Sequence, residues 1–290
     1  MHILLTGSSG RIGRAIQAEL GAAHQVTGID RLPAPGTHEV VDLRHTRSIV
    51  PLLRGVDAVI HCAALHAPQV GVVADAEFIA VNVDATRRLA EAAREAGVRR
   101  FVYTSTTALY GDASSPAGAA GWVDEDLAPQ PRTIYHRSKL AAEQVLAEVC
   151  VPAGIVLTCL RMSRCFPEPA PLMAVYRLHR GIDARDVASA HAAALRQEVG
   201  ARTYLISAPT PFERADLAVL KVDAPEVLAR RAPALVAAFQ RRGWGLPATI
   251  DRVYSPARAL AELEWQPRHG FESVLQGWDA GSPEVLAPAG

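Results

Sequence analysis

The feature that most restricts this chain is a glycine spacing set directly behind a short apolar run. His2–Thr6 reads as a buried strand. It leads into Gly7-Ser8-Ser9-Gly10-Arg11-Ile12-Gly13, where an apolar-periodic stretch, Arg11–Leu20, begins. A strand, a G-x-x-G-x-x-G turn and a helix together form a pyrophosphate cradle. Gly7 permits the tight turn, Gly10 lets the backbone approach the anion, and Gly13 lets the helix close on the sheet. The opening N–H groups of the helix, at Arg11 and Ile12, then face the anion along the helix dipole. A glycine-rich turn with no ligand is the rival reading, and the strand–turn–helix context favours the cradle.

The same logic extends along the chain. Further short apolar runs lie at Gln25–Asp30, Glu39–Val41, Ala58–Cys62, Arg100–Ser105 and Ile155–Arg161. Helical patterns lie at Thr46–Arg54, Ala74–Ala96 and Tyr135–Cys150. Near-continuous apolar strands alternating with helices predict an α/β Rossmann fold, a doubly wound parallel sheet with its ligand at the strands' carboxyl ends. After Arg161 the Pro-rich Cys165–Pro171 forbids a regular helix there. Helical Asp186–Glu198 and a strand at Thr203–Ser207 return the chain to the sheet. The remainder is short helices, ending in the apolar-periodic Ala257–Leu263. The expected division is 1–163 plus 182–207 as the dinucleotide-binding domain. Residues 164–181 plus 208–290 form a small, mostly helical substrate lobe. Residues 112–121 read as a mobile small-residue loop.

Composition narrows the partners. Across 290 residues, 30 Lys+Arg balance 30 Asp+Glu, which removes the electrostatic reason to expect nucleic acid. No apolar run of about 18 residues predicts a membrane span, and the N-terminus lacks a signal-peptide pattern. Cys62, Cys150, Cys159 and Cys165 show neither C-x-x-C nor zinc spacing, so no metal is expected. Buried thiols in a reducing cytoplasm are the plain reading. The expected partner is a small-molecule substrate.

Asp30 ends the second strand candidate, 17 residues after Gly13. A carboxylate there accepts both hydroxyls of an adenosine ribose and repels a 2′-phosphate, so NAD is expected over NADP. Arg31 is the neighbour that would rescue NADP. Asp42-Leu43 can meet the adenine edge, though Asp42 equally suits a helix N-cap. Tyr135 and Lys139, spaced i,i+4, share one helical face. A nearby ammonium and an oxidised nicotinamide both favour phenolate, which would let Tyr135 exchange a proton with a substrate hydroxyl. Lys139 would also hold the nicotinamide ribose. Thr104-Ser105-Thr106-Thr107 places four hydroxyls at a strand's carboxyl end, where one can orient the substrate oxygen. Ordinary strand propensity and a helix cap are the competing reading.

Taken together, these residues resemble the extended short-chain dehydrogenase/reductase superfamily, the NAD-dependent epimerase/dehydratase group. The likeness rests on T-G-S-S-G-R-I-G at Thr6–Gly13, H-C-A-A at His61–Ala64 and V-N-V-D-A-T at Val81–Thr86. It also rests on V-Y-T-S-T-T-A-L-Y-G at Val102–Gly111, Y-H-R-S-K, C-L-R at Cys159–Arg161 and A-R-D-V-A at Ala184–Ala188. The resemblance implies a catalytic triad of Thr106, Tyr135 and Lys139, with Cys62, Ala63 and Ala64 against the cofactor. It further implies a structural hydrogen bond at Asn82, Phe166 near the nicotinamide amide, and a homodimer paired through the Ala74–Ala96 helix. L-R-M-S-R-C-F-P-E-P at Leu160–Pro169 is similar to uronate dehydrogenases of the same superfamily. Arg164 stands where nucleotide-sugar enzymes carry Asn, and Ser105-Thr106-Thr107-Ala108 departs from the uronate pattern S-S-N-H.

His66, Thr106, Thr107 and Arg164 are the candidates for substrate contact. His66 can bond a sugar hydroxyl or carboxylate, or be a solvated loop residue. Arg164 can pair bidentately with a substrate anion, or with Glu168 or Asp183. Arg177, Arg180 and Arg185 near His179 form a basic stretch that either faces the pocket or is solvated. Trp244 and Trp265 read as packing residues. The expected function is NAD-dependent hydride transfer to or from a sugar, sugar-acid or polyol carbinol. An NAD-dependent nucleotide-sugar epimerase or dehydratase and a catalytically silent NAD(P)-binding regulator are the alternatives.

Overall fold

The computed structural model describes residues 1–45, 49–198 and 200–288. Its main sheet contains β1 (His2–Thr6), β2 (Gln25–Asp30), β3 (Glu39–Val40), β4 (Ala58–His61), β5 (Arg100–Thr106), β7 (Val156–Met162) and β8 (Ala201–Ile206). All neighbours run parallel, in the order β3-β2-β1-β4-β5-β7-β8. The order reverses between β1 and β4, and that switch point is where a doubly wound sheet opens a crevice.

Strand alternation explains the two-sided core. Ile3 and Leu5 of β1 pack on one face with Ile60, Val102 and Leu160. They meet α1 (Arg11–Leu20) and α6 (Ala184–Ala194) there. Leu4 packs on the opposite face with Val59, Phe101 and Leu157, beneath α3 (Ala85–Glu95) and α4 (Ile134–Cys150). Strands covered on both faces need the continuous apolar runs read from the sequence.

Several boundaries move for local reasons. The Ala74–Ala96 helix is broken into α2 (Asp75–Ile79), a π-turn at Ala80–Asp84, and α3. The π-turn carries Asn82, whose amide bonds both backbone groups of Leu65. Of the expected helix Thr46–Arg54, residues 46–48 lie outside the described residues, and Val50–Leu53 is a 3-10 turn with Pro51 as its second residue. The Pro-rich segment does end in a helix, α5 (Ala170–His179), because Pro171 falls in the first turn, where no N–H is required. Asp183 caps α6 by accepting the Arg185 N–H at 3.0 Å, so that helix starts before Asp186.

The 112–121 loop is not free. The Ser114 hydroxyl donates to the Gly111 carbonyl at 2.7 Å and accepts from Arg252 at 2.8 Å. Its far end becomes β6 (Gly121–Val123), which pairs in parallel with β9 (Arg252–Tyr254) in a second, two-stranded sheet. The remaining helices, α7 (Leu217–Val222), α8 (Ala224–Arg231), α9 (Pro233–Arg242), α10 (Ala257–Glu262) and α11 (Phe271–Asp279), complete the chain. Most of them enclose a separate core that includes Met173, Leu228, Phe239 and Val274. Trp244 packs there against Phe239 and Trp278, whereas Trp265 lies in the main core and donates to Ser189 at 2.9 Å. Among the described residues, no helix is long and apolar enough to cross a membrane.

Candidate active site

At the carboxyl ends of the strands lies a cavity of about 710 Å³. Its lining includes Gly7, Gly10, Arg11, Ile12, Gly13, Asp30, Asp42, Leu43, Cys62, Ala63, Ala64 and Phe166. Thr106, Thr107, Tyr135, Lys139, His66 and Arg164 line the same cavity. The residues expected to hold cofactor, carry catalysis or contact substrate therefore meet in one space, apart from Arg177 and Arg185 of the basic stretch.

The glycine turn is as tight as its sequence requires. Gly7 has φ +74, and a Cβ there would sit 2.7 Å from the Ala63 nitrogen. A Cβ on Gly13 would meet the Gly7 carbonyl at 2.1 Å. Side chains at either position would strike backbone and force the turn apart, and the tight turn that remains fits a pyrophosphate bound through backbone N–H groups. Asp30 closes the cradle's far side. Its two carboxylate oxygens accept the Ser9 N–H at 3.1 Å and the Leu32 N–H at 3.0 Å, leaving lone pairs for ribose hydroxyls. Asp42 is gripped by the Arg44 guanidinium, with Nη2 to Oδ2 at 2.6 Å, and is held down to about 2.

A directional hydrogen-bond chain runs beneath this turn. The Thr86 hydroxyl donates to the Asn82 carbonyl at 2.8 Å, so its oxygen is left to accept from His61 Nε2–H, also at 2.8 Å. His61 Nδ1 must then accept from the Thr6 hydroxyl at 2.6 Å, and that oxygen accepts the Ala63 N–H at 3.2 Å. Burial, aided by the Lys139 charge, pushes His61 down to about 3, which keeps the ring neutral as the chain demands. From Asn82 the connection continues: its amide donates to Ser138 at 2.9 Å, and Ser138 donates to the Tyr135 carbonyl at 2.9 Å.

Tyr135 and Lys139 differ from expectation in one respect. Burial raises the Tyr135 phenol above its ordinary value, and a hydrogen bond to Thr106 pulls it partly back. The Lys139 ammonium does not set it. Lys139 Nζ donates to the Thr104 carbonyl at 2.7 Å and lies 4.1 Å from the Tyr103 ring centroid. Burial lowers Lys139 to about 8. The chain alone thus supplies a protonated phenol beside a hydroxyl, with a fixed cation one turn along the helix.

The four hydroxyls divide their work. Thr104 donates to His191 Nε2 at 2.7 Å, a direction fixed because His191 Nδ1–H donates to the Val187 carbonyl at 2.8 Å. Ser105 donates to Glu143 at 2.5 Å. The Thr106 oxygen accepts the Ala108 N–H at 3.1 Å, capping the turn that follows, and Thr107 is buried on the cavity wall.

Other candidates are more mixed. Arg164 lines the cavity but pairs with Glu168, is 45% exposed, and stacks 5.6 Å from Phe166 and 5.7 Å from Tyr176. Of the basic stretch, only Arg180 faces this cavity. Arg177 and Arg185 both turn to Asp183, at 3.3 and 2.9 Å. His66 lines the wall, and its backbone N–H donates to Gln69 at 2.6 Å.

Sequence reading missed the clamp that sets this geometry. Glu143, on the same helix as Tyr135 and Lys139, receives Arg161 Nη2 at 2.7 Å and Nε at 3.1 Å, with Ser105 as its third donor. Arg161 Nη1 also donates to the Tyr110 hydroxyl at 3.1 Å. Glu143 lies four residues beyond Lys139, so an i,i+4 search from the lysine would have found it. Arg252 was missed too, because β9 carries no strand-length apolar run.

The fold and cavity define a dinucleotide-binding α/β class. The chain belongs to the NAD dependent epimerase/dehydratase family, whose model matches residues 3–169, more than half of its length. It is 31% identical over 201 residues to an uncharacterized UDP-glucose epimerase of Bacillus subtilis (strain 168), covering 61% of each chain. It is 28% identical over 178 residues to a uronate dehydrogenase of Pseudomonas putida, covering 59% of this chain and 63% of that one. The match thus spans less than two thirds of these curated relatives. Among solved structures, a short-chain dehydrogenase/reductase superfamily protein from Agrobacterium tumefaciens with bound NAD superposes with TM-score 0.69 at 23% identity, covering 95% of both chains. A Thermus thermophilus UDP-glucose 4-epimerase complex with NAD gives 0.69 at 24%, covering 94% of this chain and 96% of that one. Both share the fold.

Glu143→Leu alone is expected to destabilise the protein by about 3–5 kcal/mol, because Arg161 remains buried without its counter-charge. Glu143→Leu combined with Arg161→Met is expected to cost less than the single change. Guanidinium denaturation of the three proteins checks this order.

Proposed function

We propose that this chain is an NAD-dependent oxidoreductase acting on the carbinol of a small sugar or sugar acid. The observation that carries the reading is the convergence of Thr106, Tyr135 and Lys139 with the glycine cradle on one cavity. NAD, when bound, supplies the hydride acceptor. Gly7, Gly10, Gly13 and the N–H groups of Arg11 and Ile12 would hold its pyrophosphate. Asp30 would hold the adenosine ribose, Asp42 and Leu43 the adenine end, and Cys62, Ala63, Ala64 and Phe166 the nicotinamide half.

Tyr135 takes the proton from the substrate hydroxyl in oxidation and returns it in reduction. Thr106 hydrogen-bonds the same substrate oxygen and fixes its distance from the phenol. Lys139 would hold the nicotinamide ribose from its place one turn along the same helix, and the positive ring of the oxidised cofactor would favour phenolate.

Arginines outnumber carboxylates on the cavity wall, which suits a substrate with an acidic group; Arg132, Arg164, Arg180 and Arg252 are paired with Asp112, Glu168 and Asp251 and would exchange those partners for it. An arginine fork matches a carboxylate bidentately. A cavity of about 710 Å³ that takes cofactor and substrate together favours a small substrate. The likeness to a UDP-glucose epimerase supports a second reading, in which the hydride returns to the substrate and reduced cofactor does not accumulate. A cytoplasmic homodimer belongs to the same proposal. Free thiols, with Cys150, Cys159 and Cys165 buried, suit a reducing compartment, and α3 packs beside α4.

Tyr135→Phe is expected to abolish turnover while NAD affinity, measured by fluorescence titration, stays within a few-fold; unchanged turnover would remove the phenol from the chemistry. Asp30→Ala is expected to shift the ratio of NADP to NAD affinity upward by about tenfold, as the loss of a charge that repels a 2′-phosphate requires.

A further inference from the structure

Arg132, Arg164, Arg180 and Arg252 all line the active-site cavity, and the last two are short of a counter-ion. Arg132 and Arg164 each have a carboxylate of their own, Asp112 and Glu168. Arg180 and Arg252 share one, Asp251. Arg252 takes most of it, with Nη2 at 2.6 Å and Nε at 3.0 Å from the same oxygen, Oδ2. The other oxygen, Oδ1, lies 3.7 Å from Arg180 Nη1, beyond hydrogen-bond length. Both guanidinium side chains keep accessible surface, 25% for Arg180 and 20% for Arg252, and both line the cavity. Asp251 is not one of the described residues that line it, so the shared carboxylate meets the pair from outside.

Neutral groups hold both arginines in place. The Tyr176 hydroxyl accepts from Arg180 Nη2 at 2.6 Å, and its ring centroid lies 4.3 Å from that guanidinium. The Ser114 hydroxyl accepts from Arg252 Nη1 at 2.8 Å. His179, whose Nδ1–H donates to the Arg252 carbonyl at 2.8 Å, adds no charge, because burial and the Arg180 charge push it down to about 3. The group therefore sets two positive charges against one negative, and it is ordered before any ligand arrives. Its position suits a substrate. Ser114 donates to the carbonyl of Gly111, the residue that closes the turn begun by Thr106, and the Arg180 carbonyl accepts the Arg164 N–H just beyond β7.

We propose that Arg180 and Arg252 are the specificity-determining residues for the carboxylate of a sugar acid, and that Asp251 is a built-in competitor for the same guanidinium groups. This rests on the oxidoreductase reading above and narrows its substrate to the acid. One surplus positive charge matches a carboxylate monoanion. A phosphate ester, close to a dianion at neutral pH, would leave the group negative.

Calorimetric titration of the NADH-saturated protein tests this without turnover. The probes are galacturonate and glucuronate, each beside its neutral hexose and its hexose 6-phosphate. At least one hexuronate is expected to bind about tenfold or more tightly than both counterparts. Arg252→Met should weaken that binding by about tenfold, whereas Asp251→Asn should tighten it by removing the competitor. A gain of affinity cannot come from damaged folding, so the opposite signs separate recognition from structure. No binding of either hexuronate, no preference over the neutral hexose, or tighter binding of the phosphate would overturn the proposal. So would an Asp251→Asn affinity no higher than that of the parent. NADH formation from NAD with the same sugars keeps the two claims apart. Turnover of neutral hexose without acid preference overturns the subsite and leaves the oxidoreductase reading standing. Hexuronate binding with the expected variant signs but no turnover of any sugar supports the subsite and removes that reading.

Discussion

One buried carboxylate holds the candidate site in register. Glu143 projects from the helix that bears Tyr135 and Lys139, and it is grasped by Arg161 of β7 and Ser105 of β5. Ser105 immediately precedes Thr106, so this ion pair fixes the strand end against the helix. The Tyr135–Thr106 contact depends on that spacing. Removing such charges from water is costly, and only a bidentate fork with further hydrogen bonds offsets the cost. Glu143 has both: two donors from Arg161 and a third from Ser105. The arrangement is best understood as specificity of geometry, since an apolar pair of equal volume would pack as well without fixing the helix's position along the strand.

A second network connects the cofactor turn to the same helix. From the Ala63 N–H through Thr6, His61, Thr86 and Asn82 every donor has one available acceptor, and Asn82 passes the connection to Ser138 and the Tyr135 backbone. The π-turn at Ala80–Asp84 brings Asn82 to the loop after β4, at the cost of an interrupted helix. Strain and irregularity of this kind are expected where a helix must deliver one polar side chain to a fixed point. Together the ion pair and the network make the glycine turn, the Thr106 strand end and the Tyr135 helix one rigid unit.

Much of this was legible in the sequence, for physical reasons. Strands buried on both faces announce themselves as apolar runs, so His2–Thr6 carries its bounds in its composition. Glycines whose Cβ would strike backbone, as at Gly7 and Gly13, are equally plain. What escaped reading depends on distant partners. The Pro171 helix start, the pinning of residues 112–121 by Arg252, and the β6–β9 pair are decided by residues more than a hundred positions apart or by which turn a proline occupies. The partners of the Lys139 ammonium were not legible, because i,i+4 spacing fixes proximity along a helix and not the partner the side chain chooses. Here the Thr104 carbonyl and the Tyr103 ring offer Lys139 a better berth than the phenol.

That last point gives the account its sharpest test. The chain alone keeps Tyr135 above its ordinary pKa, so ionisation near neutrality requires the positive ring of the oxidised cofactor. NMR titration of ¹³C-labelled tyrosine, with the Tyr135 signal assigned by its loss in Tyr135→Phe, measures this directly. The account predicts that saturating NAD lowers the Tyr135 pKa by roughly one unit or more. A value unmoved or raised by NAD would contradict it.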